Sequence, residues 1–169
     1  DKGTSFSYDL LLLATGSNPF IPPIEGTRKK GVYVFRNMAD TQNILEHCKT
    51  AGKAIVIGGG LLGLDAARGL LNQGQKVTVV HLMDRLMEVQ LDAAGGQFLK
   101  REIEKLDIEV LLNKNTERIM GGESAEGVLF KDGSIVEADI VVIACGIRPN
   151  VELAKKAGLK VNRGVVVND

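Results

Sequence analysis

The chain has 169 residues, 44% hydrophobic and 25% charged, which is the length of about one domain and the make-up of a folded globular protein, and excludes disorder or a fibrous repeat. Lys and Arg total 21 and Asp and Glu total 21, so no net field draws in nucleic acid or an anionic membrane, and binding by charge has to be local. The longest apolar runs, 10–14 and 140–145, fall far short of the ~20 residues that span a bilayer.

No basic stretch followed by an apolar one opens the sequence, so no signal peptide is visible. The two cysteines, Cys48 and Cys145, have neither redox-pair nor metal-ligand spacing. They read as small buried hydrophobes, and two reduced thiols suit a cytoplasmic protein.

Residues 9–16, Asp-Leu-Leu-Leu-Leu-Ala-Thr-Gly, read as an apolar strand. An extended connector follows at 17–26, held open by Pro19, Pro22 and Pro23. A short strand at 32–35 leads to a helix with Asn37 as N-cap and Asp40 at the capping-box position, its inner stripe formed by Ile44, Leu45 and Cys48. His47 on this helix reads as a solvated or capping residue. Next come a buried-strand run at 54–57, glycines 58–60, an apolar helix ending near Gly74, and a strand at 77–80. Asp92 caps another helix, with Phe98, Leu99, Ile103 and Leu106 facing inward, before a strand at 108–112.

This β-α-β-α-β order predicts a parallel sheet with right-handed crossovers. Short extended pieces at 116–120, 127–131 and 134–137 follow, the last two joined by Asp132-Gly133, a strong hairpin signal. They predict an antiparallel meander inserted before the wholly apolar strand 140–145, which should rejoin the sheet centrally. A short helix near 151–157 and a valine-rich strand at 165–167 close the chain. The expected fold is thus α/β, a Rossmann-like parallel sheet with helices on both faces and an inserted β-meander.

Gly58-Gly-Gly60-Leu61-Leu62-Gly63 satisfies G-x-G-x-x-G between a strand and a helix, the context that a dinucleotide site requires. Gly58 would turn the chain tightly, Gly60 would let a pyrophosphate approach bare backbone, and Gly63 would let the helix pack on the strand. The unpaired amides near Leu61, Leu62 and Gly63 would then hold phosphate without any basic side chain. Flavin and adenosyl-methionine are competing ligands for such a turn.

Specificity normally resides in a carboxylate at the end of the second strand, which accepts bonds from the ribose of NAD. Here His81 holds that place. A neutral histidine could bond a hydroxyl, while its cation, helped by Arg85, could receive the 2′-phosphate of NADP. Asp65 is expected in the first turn of the helix after the fingerprint, where the dipole favours an anion.

Three segments together, the run Tyr8 to Pro19 with its Ala-Thr-Gly, the fingerprint, and Val141-Val-Ile-Ala-Cys-Gly146-Ile-Arg-Pro149-Asn, resemble the FAD-dependent pyridine nucleotide-disulfide oxidoreductases across essentially the whole chain. Within them the stretch from His81 to Asp92 is most similar to the large subunit of assimilatory NAD(P)H nitrite reductases, with rubredoxin and ferredoxin reductases close behind.

The resemblance implies residues 1–26 as a segment returning from an FAD domain, 27–145 as the NAD(P)H-binding domain, and 146–169 as the return to the FAD domain. The chain then reads as a piece of a longer protein whose flanks are remnants of an incomplete FAD domain. Gly146 is implied near the nicotinamide, as is Asp65, where the family commonly has Glu. Thr15 and Gly16 would face FAD in the intact parent. NAD(P)H would reduce FAD there, and a siroheme and an iron–sulfur cluster held elsewhere would reduce nitrite to ammonia.

The implied partners are the dinucleotide and the remaining FAD domain of the same chain. The isolated piece is expected to bind nucleotide without turnover. A reading from another class is a non-catalytic assembly module on the same scaffold, forming homo-oligomers through its exposed flanking strands.

Overall fold

The computed structural model describes residues 3–168. In chain order its elements are β1 (Ser17–Pro19), β2 (Val32–Val34), α1 (Met38–Cys48), β3 (Lys53–Ile57), α2 (Leu61–Asn72), β4 (Lys76–Val80), α3 (Ala93–Glu104), β5 (Ile108–Leu111), β6 (Thr116–Met120), β7 (Gly127–Phe130), β8 (Ile135–Glu137), β9 (Ile140–Ile143), β10 (Ile147–Pro149) and α4 (Glu152–Lys156). Two compact units divide them: Pro19–Gly146, and the residues up to Asn18 together with those from Ile147 onward.

The larger unit is built on a parallel sheet of order β2-β9-β3-β4-β5. The inner strands β9, β3 and β4 are mostly β-branched and buried because both sides are covered. Register puts Tyr33, Val142, Val56, Val79 and Val110 in one row across the sheet. This row faces the helices, where Ile44 and Cys48 of α1, Ala66, Ala67 and Leu70 of α2, and Leu99 and Ile103 of α3 pack on it. Ile55, Ile57, Val141 and Ile143 alternate to the opposite face. There they meet Ile119, Val128 and Phe130 of the antiparallel sheet β6-β7-β8. Each fully buried side chain of this kind stabilises the fold by about 1.5–3 kcal/mol relative to exposure.

The expected parallel α/β sheet with its inserted meander is therefore present, with strand 140–143 second in the order, between β2 and β3. One part of the expectation is corrected. Helices cover a single face, and the meander itself takes the second face instead of extending from the sheet. The physical cause is its own alternation: Ile119, Val128 and Phe130 are almost wholly buried and need an apolar surface to rest on.

Local signals were obeyed where the partner lies nearby in sequence. Asn37 accepts from the Asp40 amide and Asp40 accepts from the Asn37 amide, completing the capping box. Asp92 accepts from Gly95 at 2.8 Å. Gly133, at φ 82°, closes the β7–β8 hairpin. Expectations that needed a tertiary partner fared less well. Leu45 and Phe98, assigned to inner stripes, are exposed, Phe98 at 59%. Besides the Leu99 and Ile103 contacts, α3 sets the backbone of Gly96 against the Arg85 side chain. His47 is half-buried in the last turn of α1, with Nδ1 3.1 Å from the Tyr33 hydroxyl.

The connector 19–26 belongs with the larger unit: Glu25 forms a bridge with Arg118, and the Ile119 amide donates to the Glu25 carbonyl. The expected strand 9–16 has no regular structure, and the strand is Ser17–Pro19 instead. The segment around Asp9 finds no sheet edge among the described residues, and a strand is defined by its partner. Thr15 donates its hydroxyl to the Asn150 carbonyl at 2.6 Å, and Asn150 donates its side-chain amide back to the Thr15 carbonyl at 2.9 Å. The valine-rich segment 165–167 forms no strand among the described residues, where Val165 makes an isolated bridge with Val161.

Candidate functional site

The site lies in the larger unit, at the carboxyl ends of β3, β4 and β9, where the chain leaves the sheet between strands of reversed order. In open α/β sheets this edge is where ligands bind. Gly58 adopts φ 126°, and a Cβ on it would lie 2.3 Å from the Ala144 carbonyl oxygen, so only glycine lets β3 turn this closely beside β9. Gly63 is equally constrained, since its Cβ would lie 1.9 Å from the Gly58 oxygen. Helix α2 thereby rests directly on the loop backbone.

Gly60 differs. Its backbone is extended, at φ −85° and ψ −177°, and it is the N-cap of α2 with no side-chain cap. A Cβ there would meet nothing within 4 Å. The amides of Leu61, Leu62 and Gly63 receive no acceptor among the described residues. Three unpaired N–H groups, aligned with the positive end of the helix dipole and approached through open space at Gly60, form a cradle for an anion. No basic side chain is needed, in keeping with the balanced charge of the chain.

His81, directly after β4, is buried at 8% exposure. Its Nδ1 accepts from the Gly59 amide at 3.0 Å, and its Nε2 lies 2.9 Å from Glu88 Oε2. A backbone amide can only donate, so Nδ1 carries the lone pair and Nε2 the proton given to Glu88. Both ring nitrogens are thus engaged within the protein, and the ring has none left for a ribose hydroxyl or phosphate. Arg85 is also engaged: Nη1 pairs with Asp84 at 2.9 Å, and Nε donates to the Leu91 carbonyl at 3.2 Å.

Asp65 is the fifth residue of α2, in the second turn and not the expected first, and no acidic residue occupies that first turn. Its position follows from Gly60 serving as the cap, one residue before the helix starts. Its carboxylate has no hydrogen bond or ion pair among the described residues. Gly146, at φ 102° and exposed, ends the strand segment that packs on Gly58, and its carbonyl accepts from Phe20.

Beside Gly146, Cys145 approaches the Ile57 carbonyl at 3.4 Å, and burial pushes its thiol up to about 11. It is a packed thiol, and not the thiolate that nucleophilic or disulfide-exchange chemistry requires. In the smaller unit, Thr15 spends its hydroxyl on Asn150, and its neighbours Leu10 and Leu12 are exposed. The described residues there do not by themselves enclose a flavin.

Two site residues escaped the sequence reading. Gly59 counted only as the variable position of the fingerprint, yet a Cβ on it would lie 2.6 Å from Leu86 and 2.8 Å from His81. Glu88 lies in the stretch 81–92 that carries the resemblance but was given no role of its own. Its signal was indirect, an acid seven residues beyond His81.

The fold is that of an α/β protein with a bare-backbone cradle at the carboxyl edge of its parallel sheet. The chain belongs to the pyridine nucleotide-disulphide oxidoreductase family, whose sequence profile matches residues 1–169. It is 57% identical over 162 residues to a nitrite reductase [NAD(P)H] of Bacillus subtilis (strain 168), covering 96% of this chain and 20% of that protein. The chain therefore spans about a fifth of that relative's length. Among solved structures, a ferredoxin reductase from Rhodopseudomonas palustris superposes with a TM-score of 0.92 at 27% identity, covering 98% of this chain and 41% of that one. An NAD-dependent persulfide reductase from A. fulgidus superposes with a TM-score of 0.83 at 36% identity, covering 88% and 27%. No helix among the described residues is long and apolar enough to cross a membrane.

Proposed function

We propose that this chain binds NAD(P)H for a flavin-dependent oxidoreductase, and that the reaction it serves is the reduction of nitrite. The observation that carries the nucleotide reading is the open space at Gly60, backed by the free amides of Leu61, Leu62 and Gly63. A diphosphate would be gripped by those amides, with Gly58 and Gly63 holding the loop against β9 and α2. Asp65 and Gly146 would flank the nicotinamide end.

The bound dinucleotide supplies a hydride. The protein's own contribution is placement, because the chemistry belongs to the cofactor. Cys145 takes no part, its thiol being packed and protonated. The flavin would be held together with residues beyond those described, and Thr15 and Gly16 would lie on its side of the chain.

The nitrite assignment is supported by the 57% identity with the Bacillus subtilis enzyme, and it concerns a longer polypeptide than this chain covers. Among the described residues no three His, Cys, Asp or Glu side chains converge to hold a metal, so a siroheme and an iron–sulfur cluster would have to be ligated elsewhere.

Calorimetric titration of the folded protein with NADH and NADPH tests the first part, and absence of saturable binding of either would overturn it. Nitrite-dependent NADH oxidation by the polypeptide that carries this chain tests the second. NADH oxidation that proceeds with a protein or oxygen acceptor, but not with nitrite, would favour a rubredoxin-, ferredoxin- or oxidase-type reductase.

A further inference from the structure

We propose that Glu88, held in place by His81, is the carboxylate that receives the adenine-ribose hydroxyls, and that the site selects NADH over NADPH; this rests on the nucleotide-binding reading above. The strand-end position that ordinarily supplies the acid is filled by His81, whose nitrogens are both used internally. Its ring works as a spacer. On one side it accepts from Gly59, within the cradle loop, and on the other it donates to Glu88 Oε2, which fixes a carboxylate one imidazole away from the loop. Glu88 Oε1 receives no hydrogen bond among the described residues, and the side chain is 29% exposed, so an acceptor remains open at the edge of the site.

The placement is firm. The Met87 amide donates to the Gly59 carbonyl at 3.0 Å, while Leu86 is fully buried against Gly59. The segment carrying Glu88 is therefore latched to the cradle through both backbone and side chain. Met87 adopts φ 53°, a conformation unfavourable for a residue with a side chain, which persists only where its surroundings impose it. That turn aims the next residue, Glu88, back towards His81.

The local cations do not favour a 2′-phosphate. Arg85 is paired with Asp84. Lys114, whose amide donates to the His81 carbonyl, has its ammonium on Asp132 and Ser134. A phosphate dianion beside Glu88 would meet like charge in a half-buried setting, whereas a ribose diol would donate to it. His81 acts as a positioning residue and does not touch the cofactor.

The test is the ratio of NADPH to NADH dissociation constants, measured by titration of the wild-type protein and of Glu88→Gln. Glutamine still accepts from His81 Nε2, so the loop is kept, and an unchanged melting temperature verifies this. The wild type is expected to prefer NADH. In Glu88→Gln, NADH binding should weaken roughly tenfold with loss of a charged acceptor, NADPH binding should strengthen, and the ratio should collapse. If the wild type binds both equally or prefers NADPH, or if the ratio is unmoved in Glu88→Gln, the assignment of Glu88 is overturned while the nucleotide site stands. If neither dinucleotide binds, the nucleotide reading fails and this inference fails with it.

Discussion

Replacing Gly60 by valine separates binding from folding more cleanly than any other change in this chain. Its Cβ would project into space with no atom within 4 Å, and its backbone, at φ −85° and ψ −177°, is one that valine adopts readily. The fold therefore loses only the modest capping advantage of glycine, about 0.5–1 kcal/mol, which lowers the melting temperature by about 1–4 °C in a chain of this size. Binding is affected far more. The isopropyl group occupies the approach to the amides of Leu61, Leu62 and Gly63, and hydrogen bonds to a charged phosphate contribute about 1.5–3 kcal/mol each. Losing two of them weakens NADH binding by at least about 3 kcal/mol, roughly a hundredfold in dissociation constant. Calorimetric titration and thermal melting of Gly60→Val give both quantities on one sample. A melting temperature within a few degrees of wild type, together with unchanged NADH affinity, would show that no phosphate sits at Gly60.

Gly63→Ala places a Cβ 1.9 Å from the Gly58 oxygen; overpacking against backbone of this kind costs up to about 3 kcal/mol and should lower the melting temperature by about 6–12 °C, and a wild-type melting curve would contradict the packing assigned to this glycine. Asp139 accepts from the Gly52 and Lys53 amides at 2.8 and 2.9 Å, and these bonds hold its carboxyl below the usual range. Its folded value is depressed, so the stability it lends is complete above the ordinary carboxylate value and disappears as pH falls through the lowered one. The difference in unfolding midpoint between wild type and Asp139→Asn should therefore vanish under strong acid, and a difference independent of pH would refute it. Cys145, with its thiol raised to about 11 by burial, should be alkylated at pH 8 far more slowly in the folded than in the unfolded protein, and equal rates would mean that the thiol is open.

What could be read directly from the chain was whatever depends on near neighbours. The capping box at Asn37 and Asp40, the Asp132-Gly133 hairpin and the glycine turn at 58–63 each complete their bonding within a few residues, and all three form. Apolar runs announced β3 and β9 because burial on both faces leaves little room for polar alternation. The misreadings share one origin. Leu10 to Gly16 is as apolar as β9, yet strand formation needs an edge to pair with, which composition does not report. Phe98 lies on the stripe that periodicity marks as inner, but α3 packs through Leu99 and Ile103 and sets Gly96 against the Arg85 stem, which leaves Phe98 at the exposed margin of that stripe. The site divides in the same way. Phosphate recognition is written in glycines contiguous in sequence, whereas the ribose end depends on His81, Gly59 and Glu88, whose relation exists only after β3 and β4 align in register.

That alignment makes the two halves of the site one device. Because β3 and β4 run parallel with Ile57 opposite Val80, the residues that follow each strand, Gly58-Gly59 and His81, emerge side by side at the same edge. The Gly58 amide bonds the Val80 carbonyl and the Gly59 amide bonds the His81 ring, so the first turn is tied to the end of the second strand through successive backbone groups. An acid in place of His81 would reach a ribose directly but would offer the Gly59 amide only a charged, flexible acceptor. The imidazole instead gives that amide a rigid neutral acceptor and passes the carboxylate role outward to Glu88. Gly59 has to be glycine for the same reason, since any side chain there would collide with the ring and with Leu86. Four consecutive demands, a turn at Gly58, contact with His81 at Gly59, open space at Gly60 and close helix packing at Gly63, therefore account for all the glycines of the loop. Three of them come from the general requirements of the fold, and the one at Gly59 comes from the histidine.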